Sequence, residues 1–229
     1  MQLKGLQKLT LLDFPGKMAC TVFTAGCNFR CPFCHNASLV TEIDSEYISE
    51  EEFFSFLSKR KGVLQGVCIT GGEPTLQPDL ESFITKIKEL GFSVKLDTNG
   101  YKPEILKRLV EKGLLDYVAM DIKNSPALYG KTVGIENFDI APVKESIDFL
   151  LEGRVDYEFR TTVVKELHTE ESISEAAEMI KGSKNYYLQL FTDSGNLIEE
   201  GYSACDKETM KNMLKAAQNA VTTANLRGM

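Results

Sequence analysis

Five glycines divide the middle of the chain at the same point of a repeating pattern. Gly62, Gly91, Gly113, Gly153 and Gly182 each follow an amphipathic stretch and precede a short apolar, β-branched run by a few residues. Glycine suits that place because the left-handed residue closing a helix carries no Cβ to strain it. Helix, glycine and strand repeated five times describe a βα series, and such a series closes on a parallel sheet. The strands read as ACTVFTA (19–25), GVCIT (66–70), SVKLDT (93–98), DYVAMDI (116–122), YEFRTTVV (157–164) and NYYLQLF (185–191). Six such strands fit either an open doubly wound sheet or a barrel or partial barrel of βα units.

The stretches between them carry helical stripes. Leu80, Phe83, Ile84 and Ile87 share one helix face, as do Ile105, Leu106, Leu109 and Val110, and Ile173, Ala176, Ala177 and Ile180. Ser49 and Glu52 have capping-box spacing ahead of Phe53, Phe54 and Leu57. No internal linker interrupts the pattern, so a single domain over 1–229 is expected. It comprises an N-terminal extension (1–18) with a strand or hairpin over Leu3 to Lys17, a βα core (19–191) and a C-terminal piece (192–229). That last piece carries a helix at about 206–222 and NLRGM as a closing edge. With 43% hydrophobic residues, 229 in all, there is enough apolar side chain for one substantial core.

A net charge of −7 without a concentrated basic patch argues against nucleic acid and leaves a small molecule or a protein as partner. No apolar run approaches a membrane span and MQLKGLQKLT lacks the features of a signal peptide, so a cytoplasmic protein with no membrane partner is expected. In that compartment clustered cysteines speak for metal or redox chemistry rather than disulfides.

Polar residues gather where the predicted strands end: Thr24-Ala-Gly-Cys27, Thr70-Gly-Gly-Glu73-Pro74, Asp97-Thr-Asn99-Gly and Asp121-Ile-Lys123, with Arg160 inside the fifth and Asp193 beyond the sixth. Strand interiors read as apolar. In βα folds the site lies at the carboxyl ends of the strands, so these groups are expected to converge. Three of the six cysteines stand in TAGCNFRCPFCHN, spaced C-x3-C-x2-C. Three thiolates on one short loop suit a cubane iron–sulfur cluster that keeps one iron open. A zinc site would have to recruit His35 or a distant residue, and the paired CxxC knuckles of zinc ribbons are absent. Incidental core cysteines fit poorly beside Asn28, Arg30, Pro32 and His35.

Cys27-x3-Cys31-x2-Cys34, with Phe33 before the last cysteine, resembles the signature of the radical S-adenosylmethionine (SAM) superfamily, and Gly71-Gly72-Glu73-Pro74 resembles its second motif. That resemblance, running from about Leu11 to Phe191, implies a partial (βα)6 TIM-like barrel with a short N-terminal extension. It also implies a [4Fe–4S] cluster on Cys27, Cys31 and Cys34, with SAM as the second cofactor. TLLDFPGKMACTVFTAGCNFRCPFCHN, DTNG and MDIK are similar to the glycyl-radical-enzyme activases, above all those of anaerobic ribonucleoside-triphosphate reductase. What this implies is an oxidoreductase that cleaves SAM reductively to a 5′-deoxyadenosyl radical and generates a glycyl radical on a large partner enzyme. A flavodoxin- or ferredoxin-like electron donor is implied with it. The alternative within the superfamily is a small-molecule enzyme resembling 7-carboxy-7-deazaguanine synthase, or an activase of another glycyl radical enzyme.

Carried over by resemblance, Phe33 and His35 approach the adenine, and Gly71, Gly72 and Glu73 contact the methionyl group. Asp121 and Lys123 hold the methionyl and ribose groups, Asp97 lies near the SAM carboxylate and a monovalent cation, and Arg160 helps fix the cofactor. Where some activases hold the ribose with a His, this chain has Phe191-Thr192-Asp193, and Asp193 is the substitute acceptor. Plainer roles stand beside these. Cys20 and Cys68 are expected as core residues and Cys205 as no ligand. His168 is expected as a solvated loop residue, and His35 is as readily a loop hydrogen-bonding group. Asp97 and Asp121 could cap helices, and Glu50, Glu51 and Glu52 form a solvated helix start.

Overall fold

The computed structural model describes residues 1–41, 47–193 and 195–228. Its strands are β1 (Leu3–Thr10), β2 (Ala19–Thr24), β3 (Gly66–Gly71), β4 (Ser93–Thr98), β5 (Tyr117–Asp121), β6 (Asp156–Val163), β7 (Tyr186–Leu190) and β8 (Ala224–Arg227). Its helices are α1 (Ala37–Thr41), α2 (Glu50–Ser58), α3 (Leu80–Glu89), α4 (Pro103–Glu111), α5 (Tyr129–Val133), α6 (Ala141–Leu151), α7 (Glu170–Met179) and α8 (Lys207–Gln218). The strands follow one another in chain order from β1 to β8 in one mixed sheet, with β1 and β8 as its edges. The α/β sheet is mostly parallel and not closed, as the resemblance implies, and all six expected strands fall within a residue or two of their places.

The contacts group into two compact units, with β5 contributing residues to both. The first comprises residues 1–28, 38–98 and 104–118. Here β1 runs antiparallel to β2, so the N-terminal extension is a strand paired with the first core strand. β2, β3 and β4 are parallel and register one to one from Ala19↔Gly66 and Gly66↔Ser93. The predicted stripe of α3 is buried, with Leu80, Phe83, Ile84 and Ile87 inward, and the Phe83 ring stacks on Phe53 of α2 at 5.2 Å. Phe54 of α2 and Ile105 of α4 are half-buried. Ser49 caps α2 by accepting the Glu52 N–H at 3.1 Å. Asp116 ties α3 to the start of β5, accepting from Lys88 Nζ at 2.7 Å and from the Val94 N–H at 2.7 Å.

The second unit comprises residues 29–37, 99–103 and 119–229, of which Ser194 and Met229 lie outside the described residues. β6, β7 and β8 are parallel, and the Ile122 N–H beyond β5 bonds the Arg160 carbonyl at 2.7 Å. Thr169 and Ser172 form a reciprocal capping box at the start of α7. Of the expected closing edge, Asn225, Leu226 and Arg227 lie in β8, Gly228 follows it, and Met229 falls outside the described residues. All five glycines that punctuate the sequence have positive φ, between 65° at Gly113 and 89° at Gly91 and Gly182. Among the described residues, no helix is long and apolar enough to cross a membrane.

One expectation about the strands needs correction. Their interiors are not uniformly apolar: Lys95 in β4 and Glu158 in β6 are each only 1% exposed. Each has an oppositely charged partner, Asp97 for Lys95 and Arg227 for Glu158. A buried charge is tolerated when it is so paired.

Candidate active site

In the first unit the segment leading to Cys27 is fixed by its own backbone. Ala25 donates its N–H to Gln2 and accepts from Gln77 Nε2 at 2.8 Å. Gly26 donates to Leu39 at 2.8 Å and accepts the Glu73 N–H at 2.8 Å, while Gly72 N–H bonds the Thr24 carbonyl at 3.0 Å. The two backbones approach so closely that a Cβ on Gly72 would stand 1.9 Å from the Gly26 carbonyl oxygen. The glycines of Gly71-Gly72-Glu73 therefore clamp the start of the cysteine loop. The Glu73 carboxylate is buried and caps the 3₁₀ turn at Pro74–Leu76, accepting from the Thr75 N–H at 3.1 Å, Thr75 Oγ1 at 2.6 Å and Thr98 Oγ1 at 2.8 Å.

Asp97 closes β4 beside a group the sequence reading missed. Lys95, two residues earlier on the same strand face, pairs its ammonium with Asp97, and Cys68 Sγ lies 3.8 Å from that ammonium. Cys20 and Cys68 are core residues as expected, and burial pushes the Cys20 thiol up to about 12.

The second unit brings together most of the remaining predicted residues. The Arg30 N–H bonds the Val133 carbonyl of α5 at 2.9 Å, Cys34 N–H turns back to Cys31 at 3.0 Å, and the Pro32 carbonyl accepts from Glu199 at 2.9 Å. Phe33 is buried, edge-on to Phe191 at 6.3 Å and to Tyr202 at 6.5 Å. Asp121 takes Lys123 Nζ at 2.9 Å on Oδ2 and the Arg160 guanidinium at 3.0 Å on Oδ1. Burial opposes the charge on Asp121, yet Lys123 and Arg160 overcome it and hold the carboxyl well below the usual carboxylate range. Burial likewise opposes the Lys123 ammonium, while Asp121 and the neighbouring Cys31 keep it firmly protonated.

Cys31 is buried and its thiol is pushed up to about 11, chiefly by burial and against the pull of Lys123. His35 has an exposed surface, but partial loss of solvent, then the charges of Lys123 and Arg160, lower its imidazole below the ordinary value against Asp121. Asp193, which the resemblance suggested as a ribose acceptor, is exposed and accepts the Gly195 N–H at 2.7 Å.

His168 departs from expectation. It is not a solvated loop residue but 3% exposed, with both ring nitrogens engaged by Val164 and Lys123. Its surroundings, Lys-Glu-Leu-His-Thr-Glu, read as a polar loop; the burial arises from chain 45 residues away, which local composition does not register.

The donor set suits an iron–sulfur cluster. Three soft thiols fall within eight residues of sequence, and in the second unit Lys123 lies beside Cys31 to offset thiolate charge. Among the described residues, no three His, Cys, Asp or Glu side chains are grouped as ligands of one metal ion are. A cubane instead takes each thiolate on a different iron.

Comparison with known proteins agrees with this chemistry. The radical SAM superfamily pattern matches residues 21–181. The chain is 36% identical over 203 residues to MJ1227 of Methanocaldococcus jannaschii, which carries the name of a glycyl-radical enzyme activating enzyme; the match covers 86% of this chain and 82% of that protein. It is 33% identical over 131 residues to a Saccharolobus solfataricus protein bearing the name GTP 3′,8-cyclase, covering 55% of this chain and 42% of that one. Streptococcus suis SuiB bound to S-adenosylmethionine shares the fold with a TM-score of 0.70 at 15% identity, over 90% of this chain and 49% of that chain. The chain belongs to the radical SAM superfamily, whose enzymes bind a [4Fe–4S] cluster and S-adenosylmethionine.

Proposed function

We propose that this protein is a glycyl-radical-enzyme activase whose target is anaerobic ribonucleoside-triphosphate reductase. The observation that carries the activase reading is the 36% identity to MJ1227 across 86% of this chain and 82% of that protein. The choice of reductase as target rests on the resemblance of the DFPGK opening, DTNG and MDIK alone. Cys27, Cys31 and Cys34 hold the cluster. When bound, the cluster and SAM supply reductive cleavage to a 5′-deoxyadenosyl radical, with electrons from a flavodoxin- or ferredoxin-like donor.

The chain's own residues bind and orient. Lys123 and Arg160 offer positive charge to a carboxylate, and pairing with Asp121 fixes both in place. Asp121 keeps its negative charge at every physiological pH and so remains an acceptor for ammonium or hydroxyl donors. The clamped backbone at Gly71 and Gly72 sets where the cysteine loop begins, and Glu73 holds that clamp rigid through Thr75 and Thr98. Phe33 supplies an apolar wall, and His35, held neutral, is able to face an adenine ring. Asp97, neutralised by Lys95, supplies a fixed polar edge.

A second reading, a radical SAM enzyme acting on a small molecule, is favoured by identities of 33%, 29% and 32% to proteins named GTP 3′,8-cyclase, matches that span 42%, 42% and 41% of those proteins. The test is anaerobic: reconstituted protein, SAM, dithionite and the purified reductase, with electron paramagnetic resonance on the reductase and chromatography for 5′-deoxyadenosine. A glycyl radical doublet on the reductase is expected. Cleavage of SAM coupled to a nucleotide, with no protein radical, would reject the activase reading.

A further inference from the structure

We propose that His168 is a positioning residue for Lys123, gripping the main chain that carries the lysine. The inference rests on the reading of Lys123 as a SAM contact.

The segment after β5 is held at every step. The Ile122 N–H bonds the Arg160 carbonyl at 2.7 Å and its carbonyl accepts from Thr161 Oγ1 at 2.6 Å. Asn124 donates to Thr132 Oγ1 at 2.8 Å and to the Leu167 carbonyl at 2.9 Å, and its own Oδ1 accepts the Ser125 N–H at 2.8 Å. Between these lies Lys123, whose carbonyl is 2.9 Å from His168 Nε2. His168 Nδ1 lies 3.0 Å from the Val164 N–H and 3.2 Å from the Val164 carbonyl. A proton on Nε2 lets Nδ1 accept from that N–H and Nε2 donate to Lys123, whereas a proton on Nδ1 would satisfy only the Val164 carbonyl. A neutral imidazole thus links the β6–α7 connection to the residue whose ammonium meets Asp121 at 2.9 Å. Burial, which disfavours the imidazolium, keeps the ring in this form. The His168 ring is 3% exposed and Lys123 is half-buried, so water replaces the bond only in part when the donor is lost. A lysine side chain reorients freely when its Cα shifts, and one hydrogen bond at its carbonyl limits that shift.

Two substitutions separate gripping Lys123 from merely filling space. In His168→Asn the amide oxygen takes the place of Nδ1 and keeps the bond from Val164, but nothing reaches the Lys123 carbonyl. In His168→Gln the amide nitrogen reaches the place of Nε2 and keeps the donor to Lys123, while the Val164 bond is lost. The measurement is equilibrium dialysis of radiolabelled SAM against the anaerobically reconstituted protein without reductant, so binding is read without turnover. Thermal melting and circular dichroism confirm that each variant is folded. His168→Asn is expected to weaken SAM binding about five- to tenfold, from the loss of one buried hydrogen bond. His168→Gln is expected to stay within about twofold of wild type. Lys123→Met weakens binding more, and adding His168→Asn to it costs nothing further, because residues acting through one contact are not additive.

Wild-type affinity in His168→Asn, a larger loss in His168→Gln than in His168→Asn, or full additivity with Lys123→Met overturns the proposal alone. Wild-type affinity in Lys123→Met overturns the reading of Lys123 as a SAM contact, and the proposal with it.

Discussion

Gly72 shows how much a single missing methyl group decides. Its backbone donates to Thr24 and sits so close to Gly26 that an added Cβ would lie 1.9 Å from a carbonyl oxygen, which is backbone and unable to swing aside. Gly72→Ala must push the cysteine loop away from β3, at a cost of about 3 kcal/mol by comparison with overpacked cores. Iron content after anaerobic reconstitution and the urea midpoint should both fall, and wild-type iron loading would contradict the clamp. Asp121 has a different liability. It faces Lys123 and Arg160 together, so Asp121→Asn leaves two positive charges without their shared partner. The three side chains keep between 14% and 29% exposure, so solvent softens the loss to about 2 kcal/mol in urea unfolding. At this scale the spacing of the cysteines and the placing of Asp121 and Lys123 at the end of β5 were legible, because both are local features of the sequence. Lys95 and His168 were not, since a lysine in SVKLDT or a histidine in KELHTEE declares its partner only once distant chain is folded against it.

The elements repeat that lesson with longer reach. Helix stripes and closing glycines follow from local periodicity and from backbone conformations only glycine adopts at low cost, so the βα series was readable in advance, whereas the strand register was not. The pairing of β8 was harder to read, because NLRGM carries no alternation that marks a strand. What holds it is Arg227, which forks onto the buried Glu158 at 2.8 and 2.9 Å and lays its guanidinium 3.8 Å from the Tyr187 ring centre. The three residues come from β8, β6 and β7, so one side chain ties the edge strand across its neighbour to the next. Arg227 is itself 36% exposed while Glu158 is 1% exposed, and the damage on removal comes from the carboxylate left behind. Arg227→Ala should cost about 2 kcal/mol in urea unfolding. Arg227→Lys should recover less than half of it, because a point charge replaces a fork and loses the stacking. Adding Glu158→Gln to Arg227→Ala should restore part of the loss. An Arg227→Ala protein as stable as wild type would show that the sheet edge is held by β-pairing and α8 alone.

For the whole molecule, these ionisations set a window of pH in which the fold is most stable. Only two histidines are present, and both have lowered values in the folded protein, His168 by burial and His35 by burial and then by Lys123. A group whose value is depressed by folding contributes stability that is present above its unfolded value and lost as pH falls toward the folded one. For histidine that decline begins near pH 6.5, with a slope of at most about 1.4 kcal/mol per pH unit for each ring. Asp121 is depressed as well, so its contribution persists until well into acid. On the alkaline side the sign reverses. Cys20 is raised to about 12 by burial, so its contribution is complete below the unfolded thiol value near 8.5 and disappears as pH rises beyond it. The cluster-free protein should therefore show a plateau of unfolding free energy between about pH 6.5 and 8.5, falling on both sides. His168→Gln should reduce the slope between about pH 6.5 and 5.5, since His35 is exposed and contributes less, and should leave the alkaline limb untouched. Urea unfolding of wild type and variant at half-unit pH steps measures both limbs. An acid limb of equal slope in the two proteins would mean that His168 takes up its proton without loosening the fold, contrary to the buried, neutral ring bonded to Val164 and Lys123.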